Sequence, residues 1–185
     1  VTRIIIRGMP VRAAYIAALR KQLPSAELCI DRTRNGMDTF VAAMRMAGDD
    51  PAVHMEDDVV LCHDFVTRLE VEIAARPDNV VQFFSMRKED ETVGSRFDNR
   101  FMMTQCFYLP AGLSRAVAEF YPGWPRLAKD PTGFDLMLGE FLQSQHMKYW
   151  IVIPNLVDHL PLKSLISKGR STKRQSKTFG KEAAA

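Results

Sequence analysis

The sequence predicts an α/β fold, in one domain, with a sheet that is at least partly parallel. Three observations predict it. Short β-branched runs alternate along the chain with longer stretches of helical apolar recurrence. Gly, Pro and Asn punctuate the joins between them. A length of 185 residues at 46% hydrophobic is enough for one packed core and short for two. A helix between two strands is the usual crossover of a parallel pair, so the alternation itself argues for parallel neighbours.

The elements follow in order. TRIIIRG (2–8) is a buried strand closed by Gly8 and Pro10, and VRAAYIAALRKQL (11–23) is a helix that stops before Pro24. AELCID (26–31) is a second strand and RTRNG a polar loop; MDTFVAAMRMAG (37–48) is a second helix ended by Gly48. AVHM (52–55) is a third strand with Glu56, Asp57 and Asp58 at its carboxyl end, and a third helix begins at Asp64 as its cap. VVQFFS (80–85) is a strand, MRKEDETVGSRFDN (86–99) a charged loop, and RFMMTQCFYLP (100–110) a strand leading into the helix AGLSRAVAEFY. A Pro/Gly-rich turn precedes the helix FDLMLGEFLQSQ (134–145), and KYWIVIPNLVDHL (148–160) reads as one last strand.

Composition narrows the function classes. No run approaches the roughly 18 apolar residues of a membrane span, and the N-terminus lacks the order of a signal peptide, so the expected location is cytoplasmic. Cys29, Cys62 and Cys106 form no CxxC pair and stand in apolar surroundings, which suits buried thiols of a reducing compartment. The net charge of +3 is unevenly spread: residues 163–185 hold seven Lys or Arg and one acid, leaving 18 basic and 21 acidic residues in the body. The body is therefore −3 and the tail +6, a tail attracted to polyanions or else simply solvated. Ala183–Ala185 reads as an appended remnant outside the fold.

The chemistry concentrates in Glu56, Asp57 and Asp58. Adjacent ionised carboxylates repel, so a fold keeps three together only where they are solvated, cap a turn or meet a cation. On extended chain Glu56 and Asp58 would share one face and Asp57 the other. Hard oxygen ligands that leave positions open suit Mg²⁺ or Mn²⁺ shared with a phosphate substrate. Ligands of open α/β sheets bind outside the carboxyl ends of strands, where the triplet stands. His159, after the last apolar run, is the imidazole able to return to that edge; His54, His63 and His146 read as core or surface residues, and Trp124 and Trp150 as core.

HMEDDVVL, TQCFYLPAGLSRAV, FDLMLGEFL and PNLVDHLPLKSLI, in this order, resemble the nucleotide-sugar glycosyltransferases of GT-A type, and are similar to the small lipopolysaccharide and collagen glycosyltransferase group. The resemblance runs from the first strand to about Phe179 and rests on order and spacing. It implies a Rossmann-like nucleotide-diphospho-sugar transferase fold over 1–162, a mixed, mostly parallel sheet flanked by helices. Residues 163–182 then form a basic segment closing over the diphosphate or contacting a polyanionic acceptor. The implied metal ligands, for Mn²⁺ or Mg²⁺, are Asp58 and His159 with Glu56; Asp57 stands near the ribose or the metal. Arg7, Gly8 and Asp31 fall where base and ribose are held, and Lys163, Ser164, Lys168 and Arg170 where a segment closes on the diphosphate. Asp135 matches the catalytic base of inverting members; on the residues alone it equally suits a carboxylate favoured by its helix N-terminus.

The implied activity is transfer of a sugar, expected to be UDP-linked, to an acceptor hydroxyl. The basic tail follows His159 closely and points to DNA as acceptor, as in enzymes that glycosylate hydroxymethylated pyrimidines of phage DNA. Arg87, Lys88, Arg96 and Arg100 would extend that surface, with Glu89, Asp90, Glu91 and Asp98 opposing it. A surface glycan, lipopolysaccharide core or protein hydroxyl is the alternative acceptor. A non-enzymatic nucleic-acid-binding module is the alternative class.

Overall fold

The computed structural model describes residues 2–91, 95–96, 101, 103–130, 132–162, 165 and 174–180. Its chain order is β1 (Arg3–Gly8), α1 (Ala13–Gln22), β2 (Glu27–Ile30), α2 (Gly36–Ala47), β3 (Ala52–Glu56), β4 (Val59–Leu61), α3 (Phe65–Ala75) and β5 (Val80–Gln82). It continues with β6 (Ser95–Arg96), β7 (Cys106–Leu109), α4 (Leu113–Phe120), α5 (Phe134–Ser144), β8 (Tyr149–Ile151) and β9 (Val157–His159). A seven-stranded sheet has the order β2-β1-β3-β7-β5-β8-β6, and β4 and β9 make a separate two-stranded ribbon. β2, β1, β3, β5 and β8 run in one direction, whereas β7 and β6 run against it. The sheet is thus mixed and mostly parallel, as expected.

Strand alternation builds a core on each face of the sheet. Val53 and Met55 of β3 and Tyr108 of β7 pack with Leu19 of α1 and Leu69 and Ile73 of α3. On the other face Phe107 and Leu109 of β7 pack with Phe40 and Met44 of α2, Val117 of α4 and Leu138 of α5. Asn35 starts α2, its Oδ1 accepting from Met37 N at 3.0 Å and Asp38 N at 3.5 Å, the usual Asn cap. Cys29 and Cys106 are buried, Cys62 is half-buried, and all three are free thiols. Trp124 is core and donates to Glu140 at 2.7 Å; Trp150 is half-buried and donates to Asn79 at 3.2 Å. No helix among the described residues is long and apolar enough to cross a membrane.

Four expectations need correction. The stretch 86–99 is not loop throughout, because Ser95–Arg96 forms β6 and pairs antiparallel with β8 at the sheet edge. The last strand is two, β8 in the large sheet and β9 in the ribbon, because Pro154 has no N–H for a ladder and the chain leaves the sheet around it. VVL at 59–61, outside the strands that the pattern predicts, is β4 and pairs antiparallel with β9 in the register Val59↔His159. Asp64 precedes α3 but makes no side-chain cap bond there; its backbone is left-handed (φ 54°) and its carboxylate meets His63 Nδ1 at 2.7 Å on the surface.

His54 on β3 is fully buried, with Nε2 3.0 Å from Ser114 Oγ and its ring 5.3 Å from that of Phe107. Burial, then the charges of Arg7 and Arg3, hold its pKa well below the usual 6.5. A group depressed in the folded state and ordinary in the unfolded one binds more protons unfolded below pH 6.5. Stability is therefore complete above that pH and declines as pH falls toward the folded pKa, at no more than about 1.4 kcal/mol per pH unit. Urea unfolding at pH 7.5 and 5.5 is expected to show this loss in the wild type and to lose that component in His54→Asn.

Candidate functional site

The carboxyl ends of β1, β2 and β3 open onto a cavity of about 400 Å³. Arg7, Gly8, Asp31, Glu56, Asp57, Asp58 and Asp135 all line it, although they come from four separate parts of the chain. His159 joins them through the ribbon: pairing of Val59 with His159 sets the imidazole beside Asp58, with Nε2 3.2 Å from Asp58 Oδ2. Lys163, Ser164, Lys168 and Arg170 lie outside the described residues, as do Arg100 and the side chain of Arg96.

The carboxylates do not alternate as an extended strand would make them. β3 ends at Glu56, and Asp57 and Asp58 form a turn, so both side chains converge on one partner. Arg12 Nη1 donates to Asp57 Oδ1 at 2.9 Å and to Asp58 Oδ2 at 2.5 Å. Asp57 Oδ2 also accepts from Met9 N at 2.8 Å, tying the triplet to the turn after β1. Glu56 turns elsewhere: its Oε1 accepts from Thr104 Oγ1 at 2.9 Å and from Arg7 Nη2 at 3.5 Å.

Burial raises the pKa of Glu56 against the opposing charge of Arg7, and raises that of Asp57 against its bonds from Arg12 and Met9 N. Burial also pushes Asp58 upward, but His159 and Arg12 outweigh it and its pKa falls below the ordinary value. Asp58 is thus the carboxylate held most firmly in its charged form.

Arg7, 6% exposed, shows how charge is kept under the cavity floor. Its guanidinium lies 5.0 Å from the ring of Phe40, 5.6 Å from Phe134 and 5.8 Å from Phe107, a cage of π faces. It donates to Thr104 O at 2.5 Å, and burial lowers its pKa. Gly8, beside it, allows a close approach: a Cβ there would stand 2.6 Å from Ile16 Cδ1 and 3.1 Å from Asp57 Oδ2. Gly8→Ala is expected to cost about 1–3 kcal/mol, by overpacking, in a denaturation midpoint.

Asp31 is buried, and its Oδ1 accepts from Thr33 N at 2.8 Å, Thr33 Oγ1 at 3.2 Å and Arg34 N at 2.7 Å, so one oxygen shapes the loop after β2. Asp135 sits in the first turn of α5, where its Oδ1 accepts from Leu136 N at 2.9 Å.

Two basic residues of the site have no sequence signature. Arg12 looks like any surface residue of an amphipathic helix. Arg174 belongs to a tail segment that folds back: Ser176 N donates to Asp158 Oδ1 at 2.7 Å, Ser176 Oγ to Asn155 Oδ1 at 2.7 Å, and Asn155 N to Thr178 Oγ1 at 3.0 Å. That strap holds Arg174 Nη2 2.9 Å from His159 Nε2, and Arg174 lines the cavity.

His159 Nε2 consequently faces a donor-only guanidinium and an acceptor-only carboxylate. One nitrogen carries either a proton or a lone pair, so one of those two contacts is always unsatisfied. Asp58 Oδ1 and His159 Nδ1 are also buried without a hydrogen-bond partner among the described residues. A cation between Asp58 and His159 would engage the carboxylate and the Nε2 lone pair together and free Arg174 for an anionic ligand, and the oxygen-plus-imidazole donor set fits Mn²⁺ or Mg²⁺ with positions left for phosphate. Among the described residues no group of three or more His, Cys, Asp or Glu side chains is arranged to hold a metal, so Glu56 adds no third ligand in this arrangement.

No protein-family model and no curated protein matches the sequence. Among solved structures, a Bacillus anthracis protein described as a glucose-1-phosphate thymidylyltransferase, crystallised with sucrose, superposes with a TM-score of 0.52 at 11% identity. The overlap covers 86% of this chain and 89% of that one. The protein A197 from STIV overlaps at a TM-score of 0.48 and 13% identity, over 89% of this chain and 87% of that one. The first likeness shows the fold: a mixed α/β, Rossmann-like sheet flanked by helices, carrying the cavity at the carboxyl edge of its parallel strands.

Proposed function

We propose that the chain is a metal-dependent glycosyltransferase that moves a sugar from a nucleoside-diphosphate sugar, UDP-linked by expectation, to an acceptor hydroxyl. The observation that carries this reading is the 3.2 Å approach of His159 to Asp58 at a cavity that also holds Arg7, Gly8, Asp31 and Asp135. Asp58 and His159 would hold Mn²⁺ or Mg²⁺. When bound, such a cation supplies Lewis-acid stabilisation of the charge on a departing diphosphate.

The chain's own groups do the rest. Arg7, Gly8 and Asp31, at the ends of β1 and β2, receive the nucleoside, while Arg12, Arg174 and the basic residues from Lys163 to Arg170 add positive charge near the diphosphate. The acceptor oxygen attacks the anomeric carbon, the bond from that carbon to the diphosphate oxygen breaks, and the hydroxyl proton passes to Asp135. For the acceptor we favour a 5-hydroxymethylpyrimidine of DNA, on the ground of the +6 charge of residues 163–185, which closely follow His159 in the sequence. The host cytoplasm would then be the place of action for a phage-encoded enzyme.

A screen of nucleotide sugars with Mn²⁺ and hydroxymethylated DNA, read as the mass of digested nucleosides, tests the whole reading. Transfer only to glycan or protein hydroxyls would overturn the DNA assignment and keep the chemistry. The fold neighbour favours a second reading, nucleotidyl transfer to a sugar phosphate. Pyrophosphate release from a nucleoside triphosphate and a sugar 1-phosphate, with no transfer from nucleotide sugars, would select it.

A further inference from the structure

Arg12 occupies the position where a metal ion would be expected. Its Nη1 reaches Asp57 Oδ1 and Asp58 Oδ2 together, and the latter oxygen is the one beside His159 Nε2. The Arg12 side chain is 11% exposed and the two carboxylates less, so this pairing is shielded from solvent. A guanidinium keeps its charge under all conditions in which proteins fold, so it offsets one of the turn's two carboxylate charges without any metal. A divalent ion placed on the same oxygen would stand at contact range from that charge, where a partly buried repulsion is poorly screened.

Resting on the reading that the chain uses a divalent cation, we propose that Arg12 is an internal counter-ion that competes with the metal for Asp58. The donor's diphosphate relieves the competition by accepting the guanidinium. Arg12 ends a single 3-10 turn, Pro10–Arg12, and lines the same cavity as Arg174 and Asp58, so the exchange needs a side-chain movement and no refolding. Metal and donor then bind with positive, reciprocal coupling: each raises the affinity for the other. With both absent, Arg12 and Arg174 together offset the charges of Asp57 and Asp58, and the site loads metal and donor together.

The test is Mn²⁺ binding, followed as loss of the free-ion electron paramagnetic resonance signal, to the full chain and to Arg12→Gln and Arg12→Lys, with and without uridine diphosphate. The wild type is expected to bind Mn²⁺ weakly alone and about tenfold more tightly with the diphosphate present. Arg12→Gln is expected to bind Mn²⁺ alone about tenfold more tightly than the wild type, with the coupling reduced to about twofold. Arg12→Lys keeps the charge, loses the fork that spans two carboxylates, and falls between the two; it serves if the Gln variant fails to fold by circular dichroism. Equal or weaker Mn²⁺ affinity in the folded variants overturns the competition and leaves the cation reading standing. If no form binds Mn²⁺ while the wild type still binds uridine diphosphate, the cation reading itself falls and takes the competition with it. The arms with Mn²⁺ alone decide the point whatever base the donor carries.

Discussion

Asp58→Asn is expected to reduce sugar transfer about 1,000-fold, the loss of some 4 kcal/mol of transition-state stabilisation. The substitution removes the ligand charge and almost no volume. Asp58 is the one carboxylate of the triplet whose pKa the surroundings lower, through His159 and Arg12, so its charge is what the site is built to hold. The carboxamide oxygen can still accept from Arg12, and Arg12 keeps Asp57, so the fold should survive with a loss of about 1–3 kcal/mol. Steady-state transfer rates and a urea midpoint on the same preparations separate the two effects. An unchanged rate would remove Asp58 from the chemistry. A collapsed fold would show the ion pair to be structural, and His159→Gln would then carry the test from the other side of the 3.2 Å contact.

The parts of this arrangement that were legible in the sequence are those that local pattern dictates. β1, β2 and β3 announce themselves as β-branched or apolar runs with turn residues after them, and a carboxylate triplet at a strand's carboxyl end is a local fact. The ribbon that completes the site was not legible. β4 and β9 have three residues each, too few for a period, and β9 is hidden at the end of an apolar run broken by Pro154 and Asn155 alone before Asp158. The position of His159 after that run marks it as the returning imidazole, and the reason it reaches Asp58, the Val59↔His159 register, is tertiary. The convergence of Asp57 and Asp58 on Arg12 is likewise set by a turn that begins at Asp57, where alternation assumes extended chain through Asp58. Arg174 is a tail cation by composition; among the described residues, bonds of Ser176 and Thr178 to Asp158 and Asn155 bring it to the cavity.

Asp135→Asn is expected to slow the chemical step about 100- to 10,000-fold, the range of general-base catalysis, while leaving donor affinity nearly unchanged. The geometry keeps the control clean. Asp135 lies in the first turn of α5, where the helix dipole favours the ionised carboxylate, and its Oδ1 accepts from Leu136 N at 2.9 Å, a bond an amide oxygen can also accept. Phe134, which precedes it, stacks on Phe40 at 5.3 Å and borders the guanidinium of Arg7, so the helix start is anchored in the cavity wall by contacts the substitution does not touch. Single-turnover transfer measured beside calorimetric donor binding resolves the two terms: loss in the first alone identifies a proton acceptor, whereas equal loss in both identifies a group that orients the donor. A loss confined to the acceptor's KM would assign Asp135 to positioning the acceptor, the role expected of it if the transfer retains configuration.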